Sequence, residues 1–429
     1  MSWPREERLA AAAALLLCAA LLCAPWAGHI DDVDAQLYLV IARHLARDPA
    51  WFDLRFLPGV WPRFREHLPF GFWPAAAAVR LFGEGAVPPL YAAFTLGAIA
   101  AAGRIAARLA GPRAFIGAVL LLGTCESIWQ YGGRLLLDPP LLCLTALALD
   151  AALAERWPLA SLFTALAVLV KGPFGLLPLA AFVLVSRLPW RGVLAAGCAC
   201  LPLAIFLWAD PGGGWRDGYL RAQLFASASG ARTDGVTSFW FPLAVIAGRF
   251  WPGLPFALWG ARRARPLALT CALSAALLCL PARKWGNHAY VLFPLLGALA
   301  GVGAAELLQR LRPRALALGT AALAAVACAL SLAGLGRLVL RPPCPFSAFT
   351  GLTPGSRVFV VQPVQELLPL VELAAEREVE PVPAAALPPP GSVRLALVAS
   401  GTPLPAAWQL EATSGPWLLL RAASAPPAR

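Results

Sequence analysis

The chain has 429 residues, 59% of them hydrophobic and 14% charged, with a mean hydropathy of +0.68. That composition excludes an ordinary soluble enzyme and defines a polytopic membrane protein. The net charge of +12 does not mark a nucleic-acid binder, because the basic residues are scattered between apolar runs in the manner of topology-setting loops. Lys171 and Lys284 are the only lysines among 35 basic residues, against 33 arginines. Nine of the ten cysteines sit in apolar runs and read as small core residues rather than a disulfide framework or a metal cluster.

The N-terminus places Arg5 and Arg8 before an apolar core but lacks a small-residue cleavage site, so it reads as a retained first helix. At roughly 20 apolar residues per crossing, spans fall near 9–27, 87–107, 114–130, 137–153, 157–170, 173–187, 192–209, 239–259, 266–281, 287–305 and 315–336. The expected fold class is an all-α polytopic membrane protein of about eleven transmembrane helices. With the N-terminus in the cytoplasm, every inner loop is basic: Arg104, Arg108 and Arg113 in the first, Arg156 in the second, Arg187 and Arg191 in the third, Arg262, Arg263 and Arg265 in the fourth, and Arg310, Arg312 and Arg314 in the fifth. The outer side then receives the loop 28–86, the turns 131–136 and 282–286, Lys171, the loop 210–238 and the C-terminus. Both lysines and the four histidines, His29, His44, His67 and His288, also fall there.

The outer loop opens on HIDDVDAQLYLVIARHLAR, in which Leu37, Ile41 and Leu45 have the spacing of an interfacial amphipathic helix over 35–46. Asp31, Asp32 and Asp34 stand at its start, where carboxylates cap free backbone N–H groups. Three exceed what one helix needs. The segment 72–82 is too short to cross and is expected to lie at the surface or re-enter. Residues 1–340 thus form a membrane domain with the outer loop 28–86. Residues 341–429 form a small extracytoplasmic α/β domain with strands at 358–361, 394–398 and 417–420, a helix at 367–377 and a disordered tail.

Charges within or beside the membrane are expensive unless used. Asp138 follows Arg134 in YGGRLLLDPP, where it either caps the returning helix or serves chemistry. Lys171 sits in a Lys-Gly-Pro break, and Arg283, Lys284 and His288 cluster in RKWGNHAY. Arg216, Arg221 and Arg232 lie in the outer loop 210–238, a candidate lid. Such cations suit a phosphate, since arginine offers forked hydrogen bonds and lysine a point charge. Carboxylates suit general-base work on a hydroxyl. With no nucleotide-binding Gly-rich loop, the combination points to a lipid-phosphate sugar donor.

The order of these pieces resembles the GT-C-fold glycosyltransferases that use polyprenyl-phosphate sugars, in particular bacterial relatives of protein mannosyltransferases and of the aminoarabinose transferase acting on lipid A. The matching segments are Asp34-Ala35-Gln36-Leu37-Tyr38 followed by Ile41-Ala42-Arg43, then His67-Leu68-Pro69-Phe70 leading to Trp73, then Phe82-Gly83. Arg134 with Asp138, Lys171-Gly172-Pro173 and Tyr290-Val291-Leu292-Phe293-Pro294 complete a set spanning roughly residues 10 to 305. Two positions depart from the family pattern: Ala35 stands where a Glu is usual, and His67 where a Lys is usual, leaving a weaker, pH-dependent cation.

The resemblance implies sugar transfer to a protein, lipid A or envelope glycan at the periplasmic face of the bacterial inner membrane. It makes Asp34 the general base, or the group that orients the acceptor, with Asp138 as its partner. Lys171, His67, Arg283 and Lys284 would hold the donor phosphate, with Asp31, Asp32, Tyr38, Arg134 and His288 in support. No cofactor is certain; the Asp/His clustering leaves a divalent metal open, although the aspartates lack a convincing ligand spacing. Two rival classes are a lipid-linked glycan transporter or flippase and a membrane scaffold. A transporter is expected to carry midplane charges and inverted repeats, and a scaffold leaves the rare lysines and histidines without a role.

Overall fold

The computed structural model describes residues 3–23, 33–56, 63–186, 190–210, 212–332 and five strands between 358 and 422. His29, Asp31, Asp32 and the expected helix at 367–377 lie outside the described residues. Sixteen α-helices are seen among those described: α1 Arg5–Cys23, α2 Val33–Arg47, α3 Trp73–Phe82, α4 Val87–Ala110, α5 Pro112–Gly123, α6 Glu126–Tyr131, α7 Asp138–Leu153 and α8 Trp157–Lys171. They continue as α9 Pro173–Val185, α10 Trp190–Trp208, α11 Ala226–Ser229, α12 Phe241–Arg249, α13 Leu254–Ala261, α14 Arg265–Cys279, α15 Phe293–Gln309 and α16 Pro313–Leu332. A π-helical stretch, Arg216–Phe225, precedes α11, and a 3-10 turn, Gly286–Leu292, precedes α15.

The chain divides into two compact units. The first holds residues 1–27, 65–74 and 82–340. Its centre is α15, buried along nearly its whole length and packed on α4, α5 and α13. Small residues let these backbones touch: a Cβ at Gly303 would lie 2.1 Å from the Phe256 carbonyl, and one at Gly260 2.0 Å from that of Leu299. Around this centre α7 packs on α4 and α8, α10 on α8, and α16 on α1. Asp150, 3% exposed, takes Arg104 at 2.7 Å and Arg108 at 2.6 Å, two arginines one turn apart on α4. Those two arginines satisfy a buried carboxylate whose role the sequence did not reveal.

Among the described residues, four stretches are long and apolar enough to cross a membrane: Glu84–Ala110, Trp190–Trp208, Gly286–Gln309 and Pro313–Ser331. The expected span 239–259 is two helices, α12 and α13, bent by 110°. Pro252 explains the break, because it lacks an N–H and disfavours helical backbone at Trp251. The span expected at 114–130 likewise divides, into α5 and α6, at Thr124-Cys125, where Cys125 is extended (φ −63°, ψ 124°).

The second unit holds residues 28–64, 75–81 and 341–429. It contains α2, which occupies the expected amphipathic stretch, and a loop in which Arg55 pairs with Asp48 at 3.1 Å and Asp53 at 3.5 Å. It also contains a five-stranded sheet: β1 Val358–Val361, β2 Val379–Val382, β3 Leu395–Ala399, β4 Trp408–Ser414 and β5 Trp417–Ala422. The order is β2-β1-β3-β5-β4, with β1 parallel to both β2 and β3, and β5 antiparallel to both β3 and β4.

Candidate active site

The site in the first unit is built around one buried ion pair. Lys171 Nζ donates to Asp138 Oδ1 at 2.7 Å, with the side chains 8% and 6% exposed. Each stands where a helix meets a turn. α8 ends at Lys171 because Gly172 follows with φ 59° and ψ −135°, a conformation open to glycine, and Pro173 then starts α9. α7 begins at Asp138, and Pro139 and Pro140 leave no N–H to cap. The Asp138 carboxylate therefore goes to Lys171, and no side-chain cap bond forms at that helix start.

Three further segments surround the pair. The first is the approach to Pro69, carrying Arg65, Glu66 and His67. The His67 imidazole is pushed down to about 3, first by desolvation and then by the positive charges of Lys171 and Arg232. It is neutral at pH 7, which replaces the expected pH-dependent cation with a neutral hydrogen-bonding group. Glu66 is raised above the usual carboxylate range, mainly by burial.

The second segment is the turn 282–288. Lys284 is 2% exposed and makes no ion pair with a described residue. Arg283 has a buried Nε without a hydrogen-bond partner. The His288 ring lies tilted between Phe174 (centroids 4.4 Å apart) and Trp285 (5.3 Å), close enough to Lys171 to feel its charge.

The third is the stretch 212–238, strapped to that turn by main-chain bonds. Val236 N donates to Lys284 O at 2.8 Å, Lys284 N returns to Val236 O at 3.0 Å, and Arg283 N reaches Ser227 O at 2.9 Å. Arg232 forms a fork on Asp234 (2.8 and 2.6 Å) and lies over the Trp285 ring at 4.9 Å. Asp234 is held below the usual carboxylate range by that arginine.

Thus Asp138, Lys171, His67 and His288 are brought into one neighbourhood, while Arg283 and Lys284 sit in the turn tied to 212–238. Arg134 stands near the start of α7, with its guanidinium over Tyr131 at 5.0 Å. Asp34 is exposed in the first turn of α2 and Tyr38 is buried one turn on, both in the second unit. Sequence reasoning did not single out Asp234 or Tyr219. The signal for Tyr219 was faint: one of five tyrosines, in the polar run RDGYLRAQ. Among the described residues no three His, Cys, Asp or Glu side chains form a set that could hold a metal ion.

The arrangement of helices is that of the GT-C fold. No family model matches the sequence, and no curated protein does either. Among solved structures, the chain is similar to ArnT from Cupriavidus metallidurans bound to undecaprenyl phosphate, with a TM-score of 0.74 at 18% identity over 98% of this chain and 99% of that one. The apo form of the same ArnT gives 0.71 at 18% identity, covering 96% and 97%. The apo oligosaccharyltransferase of Archaeoglobus fulgidus gives 0.54 at 14% identity, covering 88% of this chain and 64% of that chain. At such identities the likeness establishes the fold.

Proposed function

We propose that the chain is a membrane glycosyltransferase that moves a sugar from a polyprenyl-phosphate donor to an acceptor on the periplasmic face. The observation that carries this reading is the buried Lys171–Asp138 pair, with a second buried lysine, Lys284, that makes no ion pair among the described residues. Burying two lysines, of which one has a described carboxylate partner, is costly unless an anion completes the set. A lipid phosphate entering from the membrane supplies that anion, and the ArnT structure that shares this fold carries undecaprenyl phosphate.

In the reaction, the bond from the sugar's anomeric carbon to the phosphate oxygen breaks and its electron pair leaves on the phosphate. The acceptor hydroxyl forms the new bond and surrenders its proton to a base. Lys171, Lys284 and Arg283 stabilise the charge growing on the leaving phosphate, an interaction stronger in the transition state than in the ground state. Neutral His67 donates an N–H to the same group. Asp138, occupied by Lys171, holds that lysine in place. The role of base goes to Asp34, on the family resemblance, with Asp31, Asp32, Tyr38, Arg134 and His288 in support. The acceptor is a protein, lipid A or another envelope glycan.

Topology follows the charge pattern: about eleven spans, a cytoplasmic N-terminus, a transferase domain over 1–340 and a periplasmic α/β domain over 341–429, in a bacterial inner membrane. The test is single-turnover transfer of labelled sugar from undecaprenyl-phosphate donors in liposomes. Transfer that Lys171→Ala abolishes supports the reading. Lipid scrambling with the glycosidic bond intact would make the protein a flippase instead.

A further inference from the structure

Beneath the Lys171 turn lies a contact that the reaction as described does not use. A Cβ built on Gly172 would fall 1.9 Å from the Tyr219 hydroxyl oxygen and 3.1 Å from its ring carbon Cζ. Tyr219 is 6% exposed and belongs to the π-helical stretch Arg216–Phe225. Wide turns of that kind are uncommon and recur at functional sites. The same stretch also grips the chain just before His67. Gly218 packs so closely on Arg65 that a Cβ would meet Arg65 Cβ at 2.4 Å. The Arg65 guanidinium lies over Trp215, the residue just before that stretch, at 4.3 Å. One ten-residue segment therefore holds both chain positions that carry His67 and Lys171.

We infer that Tyr219 is a positioning residue for Lys171, fixing the Gly172 turn so that the ammonium faces the donor phosphate at the right distance. The inference rests on the reading of Lys171 as a donor-phosphate cation. Lysine has a long flexible stem, and its point charge is useful only where its Cα is fixed. Asp138 holds the tip of that side chain, and Tyr219 holds the root. Glycine at 172 serves twice, since it adopts the turn and leaves room for the tyrosine. A displacement of about 1 Å at such a group costs up to about 100-fold in rate.

Two lysines in the whole chain make the test direct. The full-length protein, labelled with ¹³Cε-lysine in detergent, should give two signals, with Lys171→Arg assigning one. Tyr219→Leu is expected to shift or broaden the Lys171 signal alone and to weaken undecaprenyl phosphate binding by about tenfold. Tyr219→Phe, which keeps the ring, should recover most of that loss. Gly172→Ala, which pushes the ring off the turn, should reproduce the Leu variant. A Tyr219→Leu protein with an unmoved Lys171 signal and affinity within twofold of wild type would overturn the inference. So would a joint movement of both lysine signals in Tyr219→Leu and Gly172→Ala, which would make Tyr219 a general fold contact. Failure of the donor reading looks different: Lys171→Gln would then bind undecaprenyl phosphate as wild type does, whatever Tyr219→Leu does to the Lys171 signal.

Discussion

Breaking the Lys171–Asp138 pair from one side should cost more stability than removing it altogether. At 2.7 Å and an effective dielectric of about 20, the Coulomb attraction is about 6 kcal/mol. Desolvating each ion costs several kcal/mol, so the intact pair is close to neutral in net stability. Lys171→Ala leaves a carboxylate that is 6% exposed without its partner. Loss of one member of such a pair costs about 3–5 kcal/mol. Lys171→Met with Asp138→Leu fills similar volume without charge and should recover most of that loss. Donor use should not recover with it, because the leaving phosphate still lacks its cation. Denaturation in detergent reads the first quantity and single-turnover transfer the second. If the double variant transfers sugar as well as wild type, the pair is a structural staple and the proposed chemistry is wrong.

Asp34→Asn should insert and fold normally, since asparagine caps a helix about as well as aspartate, yet lose on the order of 10²-fold in transfer rate; near-normal transfer would remove Asp34 as base. His67 binds no proton in the folded state until about pH 3, whereas the unfolded side chain protonates near pH 6.5. Its contribution to stability is therefore present above about pH 6.5 and is lost as pH falls toward 3, so His67→Gln should flatten the acid limb of a melting-temperature profile. An unchanged acid limb would place His67 in water. A reporter active only outside the cytoplasm should work after Arg429 and fail after Arg265; silence after Arg429 would undo the topology.

Much of the helical architecture could be read from the sequence because long apolar runs admit little else. The amphipathic helix at 35–46 and the Lys-Gly-Pro turn were legible from spacing and from glycine and proline chemistry. The bend at Pro252 was not, since hydropathy averages over a window and hides one missing N–H. The strands β1, β3 and β5 coincide closely with three apolar runs, but β2 (VEPV) and β4 (WQLEATS) carry charges or proline and gave no such signal. The site was legible as residue types and opaque as partnerships. Nothing in the spacing of residues 33 apart joins Asp138 to Lys171. The state of His67 was misread for the same reason, because an imidazole near neutrality is tipped by neighbours that only the fold supplies.

Lys284 supplies the last prediction. It is 2% exposed, and no described carboxylate pairs with it. Two strands of main-chain bonding to Val236 fix its backbone, so the side chain cannot escape by moving the turn. A buried lysine with no described carboxylate partner adds little to the ligand-free protein, and a chain selected for stability alone would carry a methionine there. Lys284→Met should therefore leave the ligand-free protein as stable as wild type or more so. Donor binding reverses the order, because a ligand stabilises by RT ln(1 + [L]/Kd), about 2.7 kcal/mol at 100 times Kd. With undecaprenyl phosphate added, the wild-type melting temperature should rise and that of Lys284→Met should rise much less. A variant that is less stable without lipid yet gains the full shift with it would show that Lys284 serves the fold, and the phosphate would then rest on Lys171 and Arg283.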